Sequence, residues 1–441
     1  MMNQKFQFGV SEIDFTPATG LPLADAAPIA KGIRTPLFAK SIVLSNNECE
    51  IAIVTLDLIG LSRRHVKEAA SKIRRECGIP EENVLVVCSH THTAPKSVAY
   101  LGPKDHWLMS FPDEILEFIN ENIVESIVKS VTEASCNMVC GSVGAISADL
   151  PWLTFNRRRH TRNYGVWTYW VGIPKNQAYR PEGPIDPELG LLVLRDSSHK
   201  PSALLWNFAA HNSFHFDDMY SADLAYTVQA ELDNRVGKHL PCLYLPGCGA
   251  NLNYYDYEVS ESMWDGKRHF GLEKATEHIV SAIIATYREA CTKSSVVLKG
   301  RKAEVVLAQR DYWQNWYEED IKRKLPGWID LTNKDLDYLR EKNKPTYETD
   351  VMALRIGDVA LVGLPGEVFV EFGLHIKQFS PFPQTYVCAY ANDYCGYVAT
   401  RRAFIGGCYE AWPNCYMKVG KEGGYFMVDK VIEILYELCQ D

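Results

Sequence analysis

Short, almost wholly apolar runs alternate with segments of helical period along most of this chain, and that alternation restricts it to a sheet covered by helices. Six runs read as strands: Ser41–Leu44, Glu50–Leu56, Val84–Cys88, Leu191–Leu194, Ala203–Phe208 and Cys242–Leu245. Helices are expected over Arg64–Cys77, stopped by Gly78-Ile79-Pro80, and over Asp113–Ala134, where Ile115, Leu116, Ile119, Ile123, Ile127 and Val131 share one face. Asp223–Val236 and Leu272–Cys291 read the same way. Val351–Ile356 and Val359–Val362, joined by Gly357-Asp358, predict a hairpin, followed by a helix after Pro365 and a closing helix over Val428–Leu438. The expected class is α/β, a mixed β-sheet core flanked by helices.

No repeat, low-complexity tract or Gly/Ser linker divides the 441 residues, so one domain over 1–441 is expected. Two stretches, near 152–186 and 309–347, are polar, aromatic and weakly periodic and read as loop insertions that line a cleft or cover apolar patches of the scaffold. A formal charge of −9 with no run of Lys or Arg lacks the footprint that holds phosphate backbones or anionic membranes. No signal peptide and no apolar run of roughly 18 residues is visible, so a cytoplasmic location is expected. Thirteen cysteines, scattered and without a CxxC pair, suggest neither a disulfide framework nor a cysteine zinc site, and most read as small buried hydrophobes.

Three motifs follow strands. Ser89-His90-Thr91-His92-Thr93-Ala94-Pro95 puts two imidazoles on one face just past an apolar run, where they can share a metal, divide metal binding and proton transfer, or simply be solvated. His211-Asn212-Ser213-Phe214-His215 follows the run ending at Phe208, and Asp223 downstream either caps a helix, the simpler reading, or orients a ligand histidine. Gly363-Leu364-Pro365-Gly366-Glu367 holds a glutamate at a loop-to-helix junction, where the helix dipole alone can account for it. Taken together they read as His, His, Glu and an open position, a donor set suited to zinc.

The string of motifs resembles the catalytic domain of the neutral/alkaline non-lysosomal ceramidase family across nearly the whole chain. The resemblance rests on Gly9-Val10 to Asp14-Phe15-Thr16-Pro17, Thr55-Leu56-Asp57-Leu58-Ile59-Gly60-Leu61, the Ser89-to-Pro95 motif and Asn156-Arg157-Arg158. It continues through Ile185-Asp186-Pro187-Glu188, Asn207-Phe208-Ala209-Ala210-His211, Pro365-Gly366-Glu367 and Asn392-Asp393-Tyr394-Cys395-Gly396-Tyr397-Val398. The resemblance implies one catalytic zinc held by His90, His211, Glu367 and Tyr397, with His92, Arg157 and Tyr409 lining the reacting centre. Where the family carries SNxGD this chain reads Pro246-Gly247-Cys248-Gly249-Ala250-Asn251, and Lys96 replaces a glycine, placing charge near the pocket mouth. The family's C-terminal immunoglobulin-like domain, with any metal site shared with it, is expected to be absent.

The resemblance thus implies an amidohydrolase in which zinc-activated water attacks an amide carbonyl, Tyr409 and Arg157 stabilise the oxyanion and His92 delivers a proton to the leaving amine. A small soluble N-acyl compound is as consistent with the departures as ceramide. Arg157, Arg158, Arg159 and His160 with Lys96 can recognise a carboxylate or phosphate on such a substrate, although Arg158 and Arg159 read more simply as solvated. Trp167, Tyr169, Trp170, Trp313 and Trp316 suggest an aromatic cleft wall or plain packing. Hydrolysis of an ester, lactone or other small polar substrate, and a non-catalytic metal-dependent binding module, are the competing classes.

Overall fold

The computed structural model describes residues 6–24, 28–98, 115, 117–162, 165–172, 177–254, 271–313, 316–342, 344–413 and 417–440. Runs of alternating core-forming residues become eight strands of a mixed sheet: β1 Gln7–Asp14, β2 Phe38–Ser45, β3 Glu50–Leu56, β4 Val84–Cys88, β5 Val139–Asp149, β6 Glu188–Asp196, β7 Pro201–Phe208 and β8 Cys242–Pro246. Their order is β8-β7-β6-β5-β1-β2-β3-β4. The β3–β4 and β7–β8 pairs are parallel, and the remaining neighbours are antiparallel. A second mixed sheet holds β9 Leu298–Ala308, β10 Thr346–Ile356, β11 Val359–Gly363 and β12 Gln384–Cys388, in that order. The β-rich runs therefore build two packed sheets where one was expected.

Period-two alternation explains the layering. In β3, Ile51 and Ile53 join Leu85 and Val87 of β4 in a core shared with Met352, Leu354 and Leu361 of the second sheet. Ala52, Val54 and Leu56 face the other way, onto Val66, Ala69 and Ile73 of helix α1, Arg63–Cys77. With both faces covered, the strands read as continuous apolar runs. Helices α2 Val124–Cys136, α3 Leu224–Val236 and α4 Leu272–Thr286 complete the cover on the first sheet, and α5 Val370–Phe379 and α6 Gly423–Gln440 cover the second. The turn before α2 is a π-helix over Phe118–Ile123; Asp113, the expected start of that segment, lies outside the described residues.

The first sheet curls until its edge strands β4 and β8 meet. The segment after β12 bridges them: Ala389 N donates to Pro246 O at 3.0 Å, Cys88 N to Tyr390 O at 3.2 Å and Asn392 N to Val86 O at 2.9 Å. Residues following strands at opposite edges are thereby brought together.

Both expected loop insertions carry regular structure. Arg158–Thr161, Val166–Thr168 and Ala178–Pro181 form a small antiparallel sheet, and Trp316–Lys324 and Ile329–Glu341 are helices. Tyr317, Ile321, Leu336 and Leu339 of those helices pack on Cys408 and Trp412, so this stretch covers an apolar patch of the scaffold. Among the described residues no helix is long and apolar enough to cross a membrane. Among the twelve described cysteines, Cys88, Cys242, Cys248, Cys388, Cys395 and Cys408 are buried, whereas Cys136, Cys140, Cys291 and Cys439 are exposed, so the expectation of mostly buried thiols holds for half of the twelve.

Candidate metal centre

His90 sits two residues beyond β4 with φ +59°, its amide donating to Leu58 O at 2.9 Å. Its ring stacks on Tyr390, centroids 3.9 Å apart. Nδ1 lies 2.8 Å from Ile59 O, and a carbonyl only accepts, so Nδ1 carries the proton and Nε2 presents a lone pair. That lone pair faces His211 Nε2 at 3.2 Å, which in turn lies 3.1 Å from His92 Nε2. His211 comes from the turn after β7, where its amide meets Leu252 O at 3.3 Å. His90, His92 and His211 form the one group of three or more such donors found among the described residues.

Glu367 completes the approach from the second sheet. Gly366, at φ +76°, turns the chain so that Glu367–Val368 pairs in parallel with Tyr397–Val398, with Glu367 and Tyr397 as register partners. The glutamate is therefore strand-held, rather than placed by a helix dipole. Its Oε1 accepts from Tyr394 Oη at 2.6 Å. Its Oε2 is buried without a hydrogen-bond partner, 3.5 Å from His90 Nε2 and 4.0 Å from His211 Nε2, too far for a good hydrogen bond.

Burial pushes the Glu367 carboxyl up, but His90, the Tyr394 hydroxyl and Arg157 outweigh it and leave it below its ordinary value. Burial lowers His90, and burial with the neighbouring His90, Arg157 and His92 lowers His211 well below its ordinary value. The centre thus gathers three imidazole Nε2 atoms and one carboxylate oxygen that face one another at close range, with His90 and His211 held towards their neutral forms. Such a group of N and O donors could hold a divalent cation, and its composition suits zinc.

Behind the centre, Arg157 Nη2 donates to Tyr397 Oη at 3.1 Å and Arg157 Nε to Glu410 Oε1 at 2.8 Å. Tyr409 meets Tyr397 edge-on at 5.5 Å and contacts Trp170 and Trp328, one aromatic from each insertion. Of the five aromatics expected to line a cleft or simply pack, Trp170 contacts Tyr409 together with Trp328, which was not among them. Trp167 and Tyr169 are core residues, while Trp313 is 66% exposed and lies under Arg340.

Several expectations need correction. Arg158 is fully buried, paired with Glu182 and, at 2.6 Å, with Glu410, because its counter-ions arrive from distant segments. Lys96 is buried, since its amide is tied to Pro22 O in the packed turn after β4, and it does not guard a mouth. Asp223 occupies the start of α3 but makes no side-chain cap; its carboxylate instead receives Phe214 N at 3.0 Å, Ser221 Oγ at 2.7 Å and His215 Nδ1 at 2.6 Å. It holds the loop beyond His211 and orients His215. The Pro246–Asn251 segment lies against Ala209 and Ala210, with Asn251 O accepting from Arg157 N at 2.8 Å. Residues that sequence reasoning left unassigned are Tyr390, Tyr394 and Glu410; the last two sat inside or beside quoted motifs, which was the available signal.

Two solved structures match with the same architecture throughout: a ceramidase complexed with C2, and the neutral ceramidase from Pseudomonas aeruginosa. The fold is that of the neutral ceramidases. The first aligns at a TM-score of 0.75 and 16% identity, covering 99% of this chain and 76% of the other. The second gives 0.73 and 16%, with 99% and 74% covered. No protein-family model matches the chain. At this identity the ceramidase fold is shared while the side chains at the centre must be argued on their own geometry.

Proposed function

We propose that the protein is a zinc-dependent hydrolase of the neutral ceramidase superfamily that cleaves the N-acyl bond of a small amide. The observation carrying this reading is the buried, unpartnered Glu367 Oε2 beside two imidazole Nε2 atoms that burial keeps neutral. His90, His211, Glu367 and Tyr397 would hold the ion. Bound there, zinc supplies a Lewis acid and lowers the pKa of a coordinated water towards about 7.

The chain's own residues then divide the remaining work. His92, partly exposed at 3.1 Å from His211, is placed to carry a proton to the leaving amine. Tyr409, beside Tyr397, stabilises charge developing on the carbonyl oxygen, and Arg157 assists through the phenol it contacts. Trp170 and Trp328 give the acyl side an aromatic wall.

Metal analysis of purified protein, with a panel of N-acyl amides and matched esters, tests the reading. One zinc per chain and amide turnover are expected, with both lost in His90→Ala. Zinc at full stoichiometry in His90→Ala overturns the ligand set, and full turnover by zinc-loaded His92→Ala overturns the proton-transfer role. Zinc-loaded protein that cleaves only esters replaces the amide reading with the ester one.

A further inference from the structure

The segment after the aromatic cluster carries a carboxylate with no role in the reaction described above. Glu410 is fully buried, yet both its oxygens are engaged by cations, Oε1 by Arg157 Nε at 2.8 Å and Oε2 by Arg158 Nη1 at 2.6 Å, and Oε2 also accepts from the Thr168 hydroxyl at 2.5 Å. Arg157 in turn reaches Tyr397 Oη at 3.1 Å. Arg158 is anchored separately by Glu182 and by Gly407 O at 2.8 Å. Two guanidiniums and two carboxylates thus form a buried, alternating chain that ends on the phenol of one metal-ligand candidate.

A buried ion network is costly to assemble and is weak evidence for stability by itself. What it does here is geometric. A guanidinium is a planar fork, so fixing Nε on Glu410 fixes where Nη2 points, and that direction is the phenolic oxygen. We propose that Glu410 is a positioning residue for the metal centre: through Arg157 it locks Tyr397 Oη in the orientation that ligates the ion and thereby sets metal affinity. This rests on the reading of Tyr397 as a ligand. Glu410 touches neither substrate nor ion, and Arg157 and Thr168 hold it directly, so the Arg158–Glu182 pair is not needed to keep it in place.

Zinc affinity, measured by chelator competition on the full chain, separates this role from a structural one. Glu410→Gln removes the negative partner of both arginines, and Glu182→Gln removes a buried partner of Arg158 alone. Glu410→Gln is expected to weaken zinc binding roughly 10- to 100-fold, the range for groups that orient a ligand from behind. Glu182→Gln should lower thermal stability while changing zinc affinity by less than about twofold. Arg157→Lys, which keeps the charge but cannot span Glu410 and Tyr397 together, should match Glu410→Gln and carries the test if that variant does not fold. Equal affinity losses in Glu410→Gln and Glu182→Gln, or zinc affinity in Glu410→Gln or Arg157→Lys within about twofold of the parent, overturn the proposal. Tyr397→Phe distinguishes the two levels: an unchanged affinity there sinks the ligand reading itself, whereas a loss there with none in Glu410→Gln sinks only the positioning role.

Discussion

Metal-free protein should lose stability steeply as pH falls below about 6.5, and the two buried histidines set the size of the effect. Burial, with the adjacent His92 adding to it, holds His90 below its ordinary value despite the attraction of Glu367; burial, His90, Arg157 and His92 hold His211 lower still. In the unfolded chain both imidazoles take up a proton near pH 6.5, while in the folded chain uptake is deferred to lower pH. The unfolded state then binds more protons, so the derivative of unfolding free energy with pH is positive, and stability present above pH 6.5 is lost on acidification. Each unmatched proton costs about 1.4 kcal/mol per pH unit, so the pair costs up to about 2.7 kcal/mol per unit. Against a total of about 5–15 kcal/mol for a folded domain, one pH unit matters.

Asp57, pushed up to about 6 by burial, takes up a proton in the folded chain inside this window and offsets part of the loss, and Glu371, also raised by burial, acts in the same direction; Glu367 and Glu410, both held below their ordinary value of 4.5, contribute only under it. His65 and His160, also lowered by burial but less enclosed, add a smaller share to the loss. Urea unfolding in EDTA, followed by circular dichroism at pH 7.5, 6.5 and 5.5, reads the slope directly. Between pH 6.5 and 5.5 the two histidines contribute up to about 1.5 protons and Asp57 takes back about half a proton, so a net slope of about one proton is expected, most of which His211→Asn should remove. A slope below half a proton in the parent, or an unchanged slope in His211→Asn, would refute the reasoning.

Three further outcomes follow from the same geometry. Tyr394→Phe deletes the 2.6 Å bond to Glu367 Oε1, a hydrogen bond to a charged group worth about 1.5–3 kcal/mol, and should weaken zinc binding about tenfold in a chelator titration. Gly366→Ala would place a Cβ 2.5 Å from Gly396 O and 2.6 Å from Cys395 Sγ at a backbone with φ +76°; a loss of at least about 2 kcal/mol in denaturant unfolding and a loss of stoichiometric zinc are expected. Trp170→Ala removes the ring 4.5 Å from Tyr409 and should lower kcat/KM for aromatic and long acyl groups about tenfold more than for acetyl, with metal content unchanged.

The scaffold was legible where a strand is covered on both faces. Glu50–Leu56 and Val84–Cys88 match the structure residue for residue, because two apolar faces leave an uninterrupted signal that needs no tertiary context. The helices over Trp316–Lys324 and Ile329–Glu341 escaped notice because their buried sides are supplied by Tyr317, Ile321, Leu336 and Leu339, too few and too mixed with charge to show a stripe. Arg158 looked solvated for a similar reason: its partners Glu182 and Glu410 lie 24 and 252 residues away, and a basic run in one dimension is an ion network in three. Asp223 has the residue type of a cap at the position of a cap, and only the loop folding back through Phe214 and His215 shows where its carboxylate goes. At the centre, the resemblance nominated residues from five separate segments, and their convergence depends on a sheet curl that no local pattern encodes.

That curl has a backbone cost, and its location indicates what the fold is organised around. Among the described residues, seven non-glycine residues have positive φ: Asn47, His90, His199, Asp223, Tyr390, Asn392 and Cys408. Asn47 and His199 lie in turns between strands, but the other five border the centre: the ring of Tyr390 lies under His90, Asn392 stitches the bridge to β4, Asp223 holds the loop after His211, and Cys408 precedes Tyr409. Left-handed backbone costs a non-glycine residue about 1 kcal/mol or more and persists only where surrounding contacts over-determine it. Here those contacts are specific: Tyr390 N donates to Gly366 O at 3.0 Å, Asn392 Oδ1 accepts from Val86 N at 2.9 Å, and Cys408 N donates to Asp320 at 2.8 Å. Each ties a strained residue to a different element. Strain concentrated this way fixes the donor atoms in advance, so the scaffold itself carries the cost of gathering two imidazoles and a carboxylate.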